Sequence, residues 1–305
     1  MTRQLKAGTR RSRLAITQTD EVIQRLVSTH PGLDVTVKTL TTVGDQTAGS
    51  LKDAGPGVFT KTLEEALLSK QIDFAVHSLK DLPIQLPEQL MIVAVPERHV
   101  AFDALVTASR LTLDELPEGA TVGTSSMRRT LQLRIARPDL NIIPLRGNVD
   151  TRVQKILKGE LQAAVLAESG LVRLGINSRY LRRIPMDIML PAPAQGALAV
   201  ECRKDDEVAA TILRAINCQA TRIATTAERS FLASSGGGCA APIAAYAELT
   251  DEQIHLRVQV LSREGRGQFS VSWTGSDPLV LAQRLAKKAD QMRNRWTYNS
   301  PLKRA

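Results

Sequence analysis

Cys239 stands behind three glycines, in Ser234-Ser-Gly-Gly-Gly-Cys239, an unusual setting for a nucleophile in this 305-residue chain. Glycines strip side chains from around a thiol and leave it accessible, and an exposed thiol is a liability unless it reacts. Two readings stand open: covalent attachment of a group, or a small apolar residue packed beneath a glycine turn. Cys202 and Cys218 fall at a strand end and in a helix and read as structural. A second constellation is His77-Ser78-Leu79-Lys80-Asp81-Leu82-Pro83, at the C-terminal end of an apolar strand. That edge is the usual ligand site of an open α/β sheet. Lys80 beside Asp81 gives a carboxylate whose charge state responds to its neighbour and to bound ligand. It suits moving a proton at a nitrogen or stabilising a passing cation. Taken alone, the same residues also fit an ordinary turn.

Three further junctions share one design, in which a strand meets a turn of Gly and hydroxyl residues and then a helix. They are Gly8-Thr9-Arg10-Arg11-Ser12, Gly123-Thr124-Ser125-Ser126-Met127-Arg128-Arg129, and Leu145-Arg146-Gly147-Asn148 running on to Arg152. A helix N-terminus offers free N–H groups and the positive end of a dipole. Arginine adds a planar fork that clamps a carboxylate through two parallel hydrogen bonds. One such junction fits a capped helix with solvated arginines. Three facing one cleft suit a ligand bearing many carboxylates.

The elements that must position these groups alternate through the first two-thirds of the chain, the pattern of α/β sheets. Strands are expected at Leu5–Gly8, Asp34–Leu40, Ile72–His77, Met91–Val95, Thr121–Gly123, Asn141–Leu145 and Gln162–Ala167. Helices fall between them at Thr60–Lys70, Ser125–Arg137 and Asn148–Lys158. A first helix starts with Ser12 as its N-cap and stops at His30-Pro31-Gly32, with Leu14, Ile16, Val22, Ile23, Leu26 and Val27 on one face. Pro96–Ala101 and Pro185–Gly196 mark two crossovers, so a strand and helix over Ala197–Leu213 return to the first domain. The last third changes character. A helix at Asn217–Ala233 precedes the glycine loop, and the alternating runs Ile243–Leu249, Ile254–Leu261 and Gln268–Trp273 form a small antiparallel sheet covered by a helix over Pro278–Arg295. The expected fold is therefore α/β: two periplasmic-binding-protein-like lobes around a cleft, plus a small C-terminal α+β domain with an antiparallel sheet. The expected domains are 1–96 with 197–214, then 102–190, then 217–305.

Composition narrows the function classes. With 43% apolar residues the core is ample, and with 3% aromatic it must be aliphatic. No apolar stretch approaches the roughly 20 residues that span a bilayer, and Met1-Thr-Arg-Gln-Leu-Lys lacks a signal-peptide core, so a soluble cytoplasmic protein is expected. Three cysteines without metal-like spacing argue against a disulfide scaffold and against a zinc site. The net charge of +9 favours an acidic partner. Basic residues do not cluster in a long run, and few aromatics are present to stack bases, which points away from nucleic acid and toward a small anion. A non-enzymatic two-lobed anion binder is the main rival reading. It needs Arg10, Arg128 and Arg146 but gives neither Cys239 nor Asp81 a task.

Together these segments resemble one family. Gly8-Thr-Arg-Arg-Ser-Arg-Leu-Ala15, Val76-His-Ser-Leu-Lys-Asp-Leu-Pro83, Val122-Gly-Thr-Ser-Ser-Met-Arg-Arg129, Leu145-Arg-Gly-Asn148 and Gly237-Gly-Cys-Ala-Ala-Pro242 are similar to the ordered motif set of porphobilinogen deaminases, with Ala192-Pro-Ala-Gln-Gly196 and Thr226-Ala-Glu-Arg229 also matching. The resemblance implies three domains and one dipyrromethane cofactor per chain, joined by a thioether to Cys239. It implies an enzyme that adds four porphobilinogen units in turn, losing ammonia at each, and releases hydroxymethylbilane by hydrolysis for porphyrin and haem biosynthesis. By the same comparison Asp81 is the catalytic carboxylate. Lys80, Ser78, Thr124, Ser126, Arg128 and Arg129 hold the cofactor, and Arg10, Ser12, Gln18, Arg146, Arg152 and Arg173 hold incoming substrate. No metal, nucleic acid or membrane is implied, and the family suggests a monomer. Two stretches depart from the pattern. Ala54-Gly-Pro56-Gly-Val-Phe59 lacks a lysine that many members carry, although Lys52 remains, and Pro56 stiffens the segment. His99-Val-Ala-Phe102 replaces an acidic, Pro and Arg stretch ahead of Asp103.

Overall fold

A computed structural model describes residues 4–41, 60–238, 241–262 and 267–298, with the backbone alone for 294–298. Cys239, Lys52 and the Ala54–Phe59 stretch with Pro56 lie outside the described residues. The chain divides into two compact units, Met1–His99 with Gly196–Arg222, and Val100–Gln195 with Ile223–Ala305.

In chain order, the first unit contributes β1 (Gln4–Arg10), α1 (Arg13–Thr29), β2 (Asp34–Leu40), α2 (Lys61–Leu68), β3 (Phe74–Ser78), a single 3₁₀ turn (Leu79–Asp81) and β4 (Leu90–Ala94). The second follows with β5 (Asp103–Thr107), β6 (Thr121–Gly123), α3 (Met127–Ala136), β7 (Asn141–Ile143), α4 (Val149–Leu157), β8 (Ala163–Ala167), α5 (Glu168–Arg173) and β9 (Leu181–Arg183). The chain then returns to the first unit with β10 (Leu198–Arg203) and α6 (Glu207–Arg214). It finishes with α7 (Gln219–Ser234), β11 (Ile243–Thr250), β12 (Gln253–Leu261), β13 (Gln268–Gly275) and α8 (Pro278–Tyr298).

One strand plan is used twice. The first sheet runs β2-β1-β3-β10-β4 and the second β7-β6-β8-β5-β9. In each, four of the five strands run in one direction and one, β10 or β5, is inserted antiparallel between its neighbours. Helices cover both faces, so strands such as β5 and β10 are buried along their whole length and read as continuous runs instead of alternating ones. On one face of the first sheet, Leu5, Phe74, Val76 and Val200 pack with Val22 and Leu26 of α1 and Leu213 of α6. On the other, Leu63, Ala66 and Leu67 of α2 cover Ile72, Ala75 and Leu90. The C-terminal sheet, β11-β12-β13, is antiparallel throughout, and β13 alternates exposed and half-buried residues as a one-faced sheet does.

Two strands go beyond the sequence expectation, β5 and β9, as does the short helix α5. The α1 face also differs. Val27 is exposed, while Gln18 and Thr19 are buried with Val22 and Leu26. Thr19 enters because its hydroxyl donates to the Ala15 carbonyl at 3.0 Å, and Gln18 because its amide meets Ser78.

Buried charges tie distant segments together. On β10, Arg203 donates to the Leu67 and Ile72 carbonyls at 2.8 and 2.7 Å and pairs with Asp206 at 2.8 Å. The fully buried Glu228 of α7 accepts from the backbone N–H of Ala194 at 2.5 Å and of Ala247 at 2.7 Å. Ala194 takes φ +62°, a region costly for a residue with a Cβ, and the charge-assisted bond from its own N–H helps to hold it there.

Candidate functional site

In the first unit, the chemistry-bearing residues gather where strands end. β1 delivers Arg10, half-buried, to the turn before α1. Ser12 caps that helix, its Oγ accepting from the Ala15 N–H at 3.2 Å. One helical turn on, the Gln18 amide lies against Ser78 at the end of β3, with Nε2 at 2.9 Å and Oε1 at 3.2 Å from the Ser78 hydroxyl. The 3₁₀ turn follows immediately. Buried Leu79 and Leu82 anchor it, and the Leu79 N–H donates to the Ala197 carbonyl at 3.0 Å. Between those anchors Lys80 is half-buried and Asp81 exposed, so the carboxylate is presented to solvent from a rigid base.

In the second unit, the three hydroxyls of the Gly123–Arg129 junction bond backbone groups, Ser126 as the helix cap. Ser126 Oγ accepts from the Arg129 N–H, buried Thr124 accepts from the Ser126 N–H at 3.2 Å, and Ser125 donates to the Leu145 carbonyl at 2.9 Å. Gly123 is required by close packing, since a Cβ there would lie 2.8 Å from Leu145. Arg128 and Arg129 turn inward and converge on Asp103, the first residue of β5. Arg128 reaches one carboxylate oxygen at 2.8 Å, and Arg129 reaches the other at 2.6 Å. Gln195 donates to Asp103 at 3.0 Å, Arg128 to the Leu190 carbonyl at 2.7 Å and Arg129 to that of Val165 at 3.1 Å. Among the described residues, two guanidiniums meet one fully buried carboxylate there, which leaves one positive charge in excess. Burial lowers the Arg128 pKa, against the opposing pull of Asp103. Arg146 is exposed and Arg152 half-buried, its Nε donating to the Gly147 carbonyl at 2.7 Å. Gly147 takes φ +108°, which a side chain would strain. Arg173 closes α5.

The approach to Cys239 is built by two of its three glycines. Gly236, at φ +64°, donates to the Ala233 carbonyl at 3.1 Å, and Gly237 donates to that of Leu232 at 3.1 Å, the paired bonds of a Schellman helix end. A Cβ on Gly237 would meet Ile243 at 2.6 Å and Leu232 at 2.9 Å, whereas Gly238 faces open space. The first two glycines therefore serve the helix end and its packing.

Cys202 is the more buried of the two described cysteines. It is fully buried in β10, and desolvation pushes its thiol up to about 12. Native protein treated with iodoacetamide at pH 8 is expected to leave Cys202 unmodified, and unfolded protein to alkylate it. Peptide mapping of the two samples checks this, and labelling of native Cys202 would refute it.

Sequence reasoning missed Asp103, Gln195 and Gln132 as partners of the arginines. Gln132 accepts from the Leu190 N–H at 2.7 Å and so braces the carbonyl that Arg128 uses. The signal was present in Asp103, an acid opening an apolar run, which is unusual unless a cation meets it. Among the described residues, no group of three or more His, Cys, Asp or Glu is placed to hold a metal ion, and no helix is long and apolar enough to cross a membrane.

Comparison with known proteins covers most of the chain. Residues 5–211 match the family model described as "Porphobilinogen deaminase, dipyromethane cofactor binding domain", and residues 222–291 match "Porphobilinogen deaminase, C-terminal domain". A porphobilinogen deaminase of Brevibacillus brevis is 45% identical over 285 residues, covering 92% of each chain. One from Roseiflexus sp. is 45% identical over 289 residues, covering 94% of this chain and 95% of its own. Among solved structures, the probable amino-acid ABC transporter extracellular-binding protein ytmK from Bacillus subtilis aligns with TM-score 0.44 and 12% identity, over 71% of this chain and 90% of its own.

Proposed function

The chain belongs to the porphobilinogen deaminase family, and on that premise we propose how its residues divide the work. It is an enzyme of tetrapyrrole biosynthesis that uses a dipyrromethane cofactor and porphobilinogen as substrate. When bound, the dipyrromethane supplies the pyrrole acceptor to which four porphobilinogens are joined, each with loss of ammonia, before hydrolysis releases hydroxymethylbilane.

The donor set suits such a group. Pyrroles bearing acetate and propionate present carboxylates, and the cations and helix N-termini described above are carboxylate receptors. Cys239 gives its sulfur to the thioether. Lys80, Arg128 and Arg129 neutralise cofactor carboxylates, with Ser78, Thr124 and Ser126 donating hydrogen bonds. Arg10, Arg146, Arg152 and Arg173 hold the incoming substrate, with Ser12 and Gln18 beside them. Asp81 assists departure of ammonia by serving the amine nitrogen, and its negative charge steadies the positive pyrrole that results.

The observation that most supports this reading is the buried excess charge at Asp103, Arg128 and Arg129. An unbalanced buried cation is expensive, and a ligand carboxylate relieves it. Both guanidiniums keep N–H groups beyond those spent on Asp103, Leu190 and Val165.

The work is divided among domain 1 (1–96 with 197–214), domain 2 (102–190) and domain 3 (217–305), the last carrying the cofactor cysteine. The enzyme acts as a monomer in the cytoplasm, with neither nucleic acid nor membrane as a partner. A reducing compartment keeps the Cys239 thiol available for attachment. The test is the intact mass of natively purified protein, followed by peptide mapping. An increment of two linked pyrroles on Cys239 is expected. A chain that is unmodified, and stays so after incubation with porphobilinogen, would overturn the reading.

A further inference from the structure

The face of the first sheet beneath α2 carries apolar residues, Arg203 turned toward α2, and the pair His77 of β3 and Glu201 of β10. In register His77 faces Ala199 and Glu201 faces Ala75, so the two side chains are diagonal neighbours on one face. His77 Nε2 lies 3.0 Å from Glu201 Oε2, with side-chain exposures of 5% and 0%. The other carboxylate oxygen, Oε1, is buried without a hydrogen-bond partner among the described residues. Glu64 of α2 faces the same cluster. Burial raises its pKa, Glu201 adds to the rise, and a hydrogen bond from Thr60 and the charge of His77 oppose it.

Stability does not account for such a group. Apolar side chains of similar volume usually serve a sheet core at least as well as a buried pair, and a carboxylate oxygen left unsatisfied is a cost. The pair's location gives another account. Glu201 sits where the β10–β4 pairing shifts register, between Val200 and Glu201. Irregularities of this kind re-aim strands beside active sites. His77 sits one residue before Ser78, where the β3–β10 ladder ends at its Leu198 partner, and the next bond, from the Leu79 N–H to Ala197, already belongs to the turn. The pair thus locks β3 to β10 at the last point before the chain leaves the sheet to present Lys80 and Asp81.

We propose that the buried His77–Glu201 pair is a positioning element for Asp81, holding the Leu79–Asp81 turn in register with β10. This rests on the assignment of Asp81 as the catalytic carboxylate. Neither side chain is given a role in proton transfer. Their effect passes through the backbone of β3.

Four variants test it: His77→Ala, Glu201→Gln, His77→Gln and, as a control on the underlying assignment, Asp81→Asn. For each, the fraction of chains carrying cofactor is read by intact mass, and kcat is expressed per loaded chain. Misplacement of a reacting group by about 1 Å costs on the order of 10²-fold, so His77→Ala and Glu201→Gln are expected to lower kcat about 10- to 10²-fold with KM for porphobilinogen unchanged. His77→Gln, which keeps a donor near the place of Nε2, is expected to recover most of that loss. If His77→Ala fails to fold, the isosteric Glu201→Gln carries the test. Wild-type kcat per loaded chain in Glu201→Gln, with or without a lowered Tm, would overturn the proposal, as would a His77→Gln variant no better than alanine. Wild-type turnover by Asp81→Asn would instead remove the assignment on which the proposal stands.

Discussion

Asp81→Asn is expected to fold, to carry its cofactor and to lose turnover by about 10²- to 10⁴-fold, the range typical of a positioned acid or base. The fold survives because Asp81 is exposed, and the anchors of its turn are Leu79, Leu82 and the bond from the Leu79 N–H to Ala197. Asparagine keeps the shape and much of the hydrogen bonding, but it loses the negative charge and the proton site. The reacting amine would then leave unassisted, and the developing positive charge on the pyrrole would find no counter-charge at that position. Loss confined to kcat, with KM unchanged, marks an interaction made in the transition state. Steady-state rates on protein whose cofactor load is known from its mass decide the matter. A wild-type rate would remove Asp81 from the mechanism.

Cys239→Ser is expected to abolish the covalent cofactor and, with it, all measurable turnover. A serine hydroxyl is far less acidic than a thiol and much the weaker nucleophile, so the tether does not form at neutral pH. The fold is expected to stay intact, because the helix end before residue 239 is closed by Gly236 and Gly237. The measured chain mass should therefore equal that of the bare polypeptide, in a protein whose Tm lies close to that of the unmodified parent chain. A stable dipyrromethane on the serine variant would contradict the assignment.

Much of the fold was legible because its elements carry strong local patterns. The 3.6-residue period of α1 and the two-residue period of the C-terminal strands placed those elements within a few residues of their observed bounds. What escaped was what tertiary contact decides. β5 opens on Asp103, which locally reads as a turn residue and becomes a buried strand residue only because Arg128 and Arg129 meet it from α3. β9 has two exposed arginines in three residues and no pattern of its own. In α1 the sequence favoured Val27 for the core, whereas Gln18 takes an interior place because Ser78, sixty residues away, satisfies its amide.

The site divides the same way. Lys80, Asp81 and the capped junctions could be read from local order, since strand, turn and helix N-terminus are consecutive in the chain. That Arg128 and Arg129 share one carboxylate could not, because Asp103 lies more than twenty residues upstream on a strand with no periodic signal. Nor could the pairing of His77 with Glu201, which depends on the register of β10 against β3.

That register also orders the making of the protein. Among the described residues β4 pairs with β10 alone, and β10 is encoded beyond the whole of the second sheet. When β4 leaves the ribosome it has no strand to receive it. The β5–β9 sheet, contiguous from Asp103 to Arg183, has all its strands before the first sheet has its fifth. At elongation rates of about 5–20 residues per second, the edge of β3 and the whole of β4 wait several seconds for Leu198–Arg203 to emerge. During that interval the strands of the second sheet are made, and the Leu79–Asp81 turn lacks the β10 strand that aligns it.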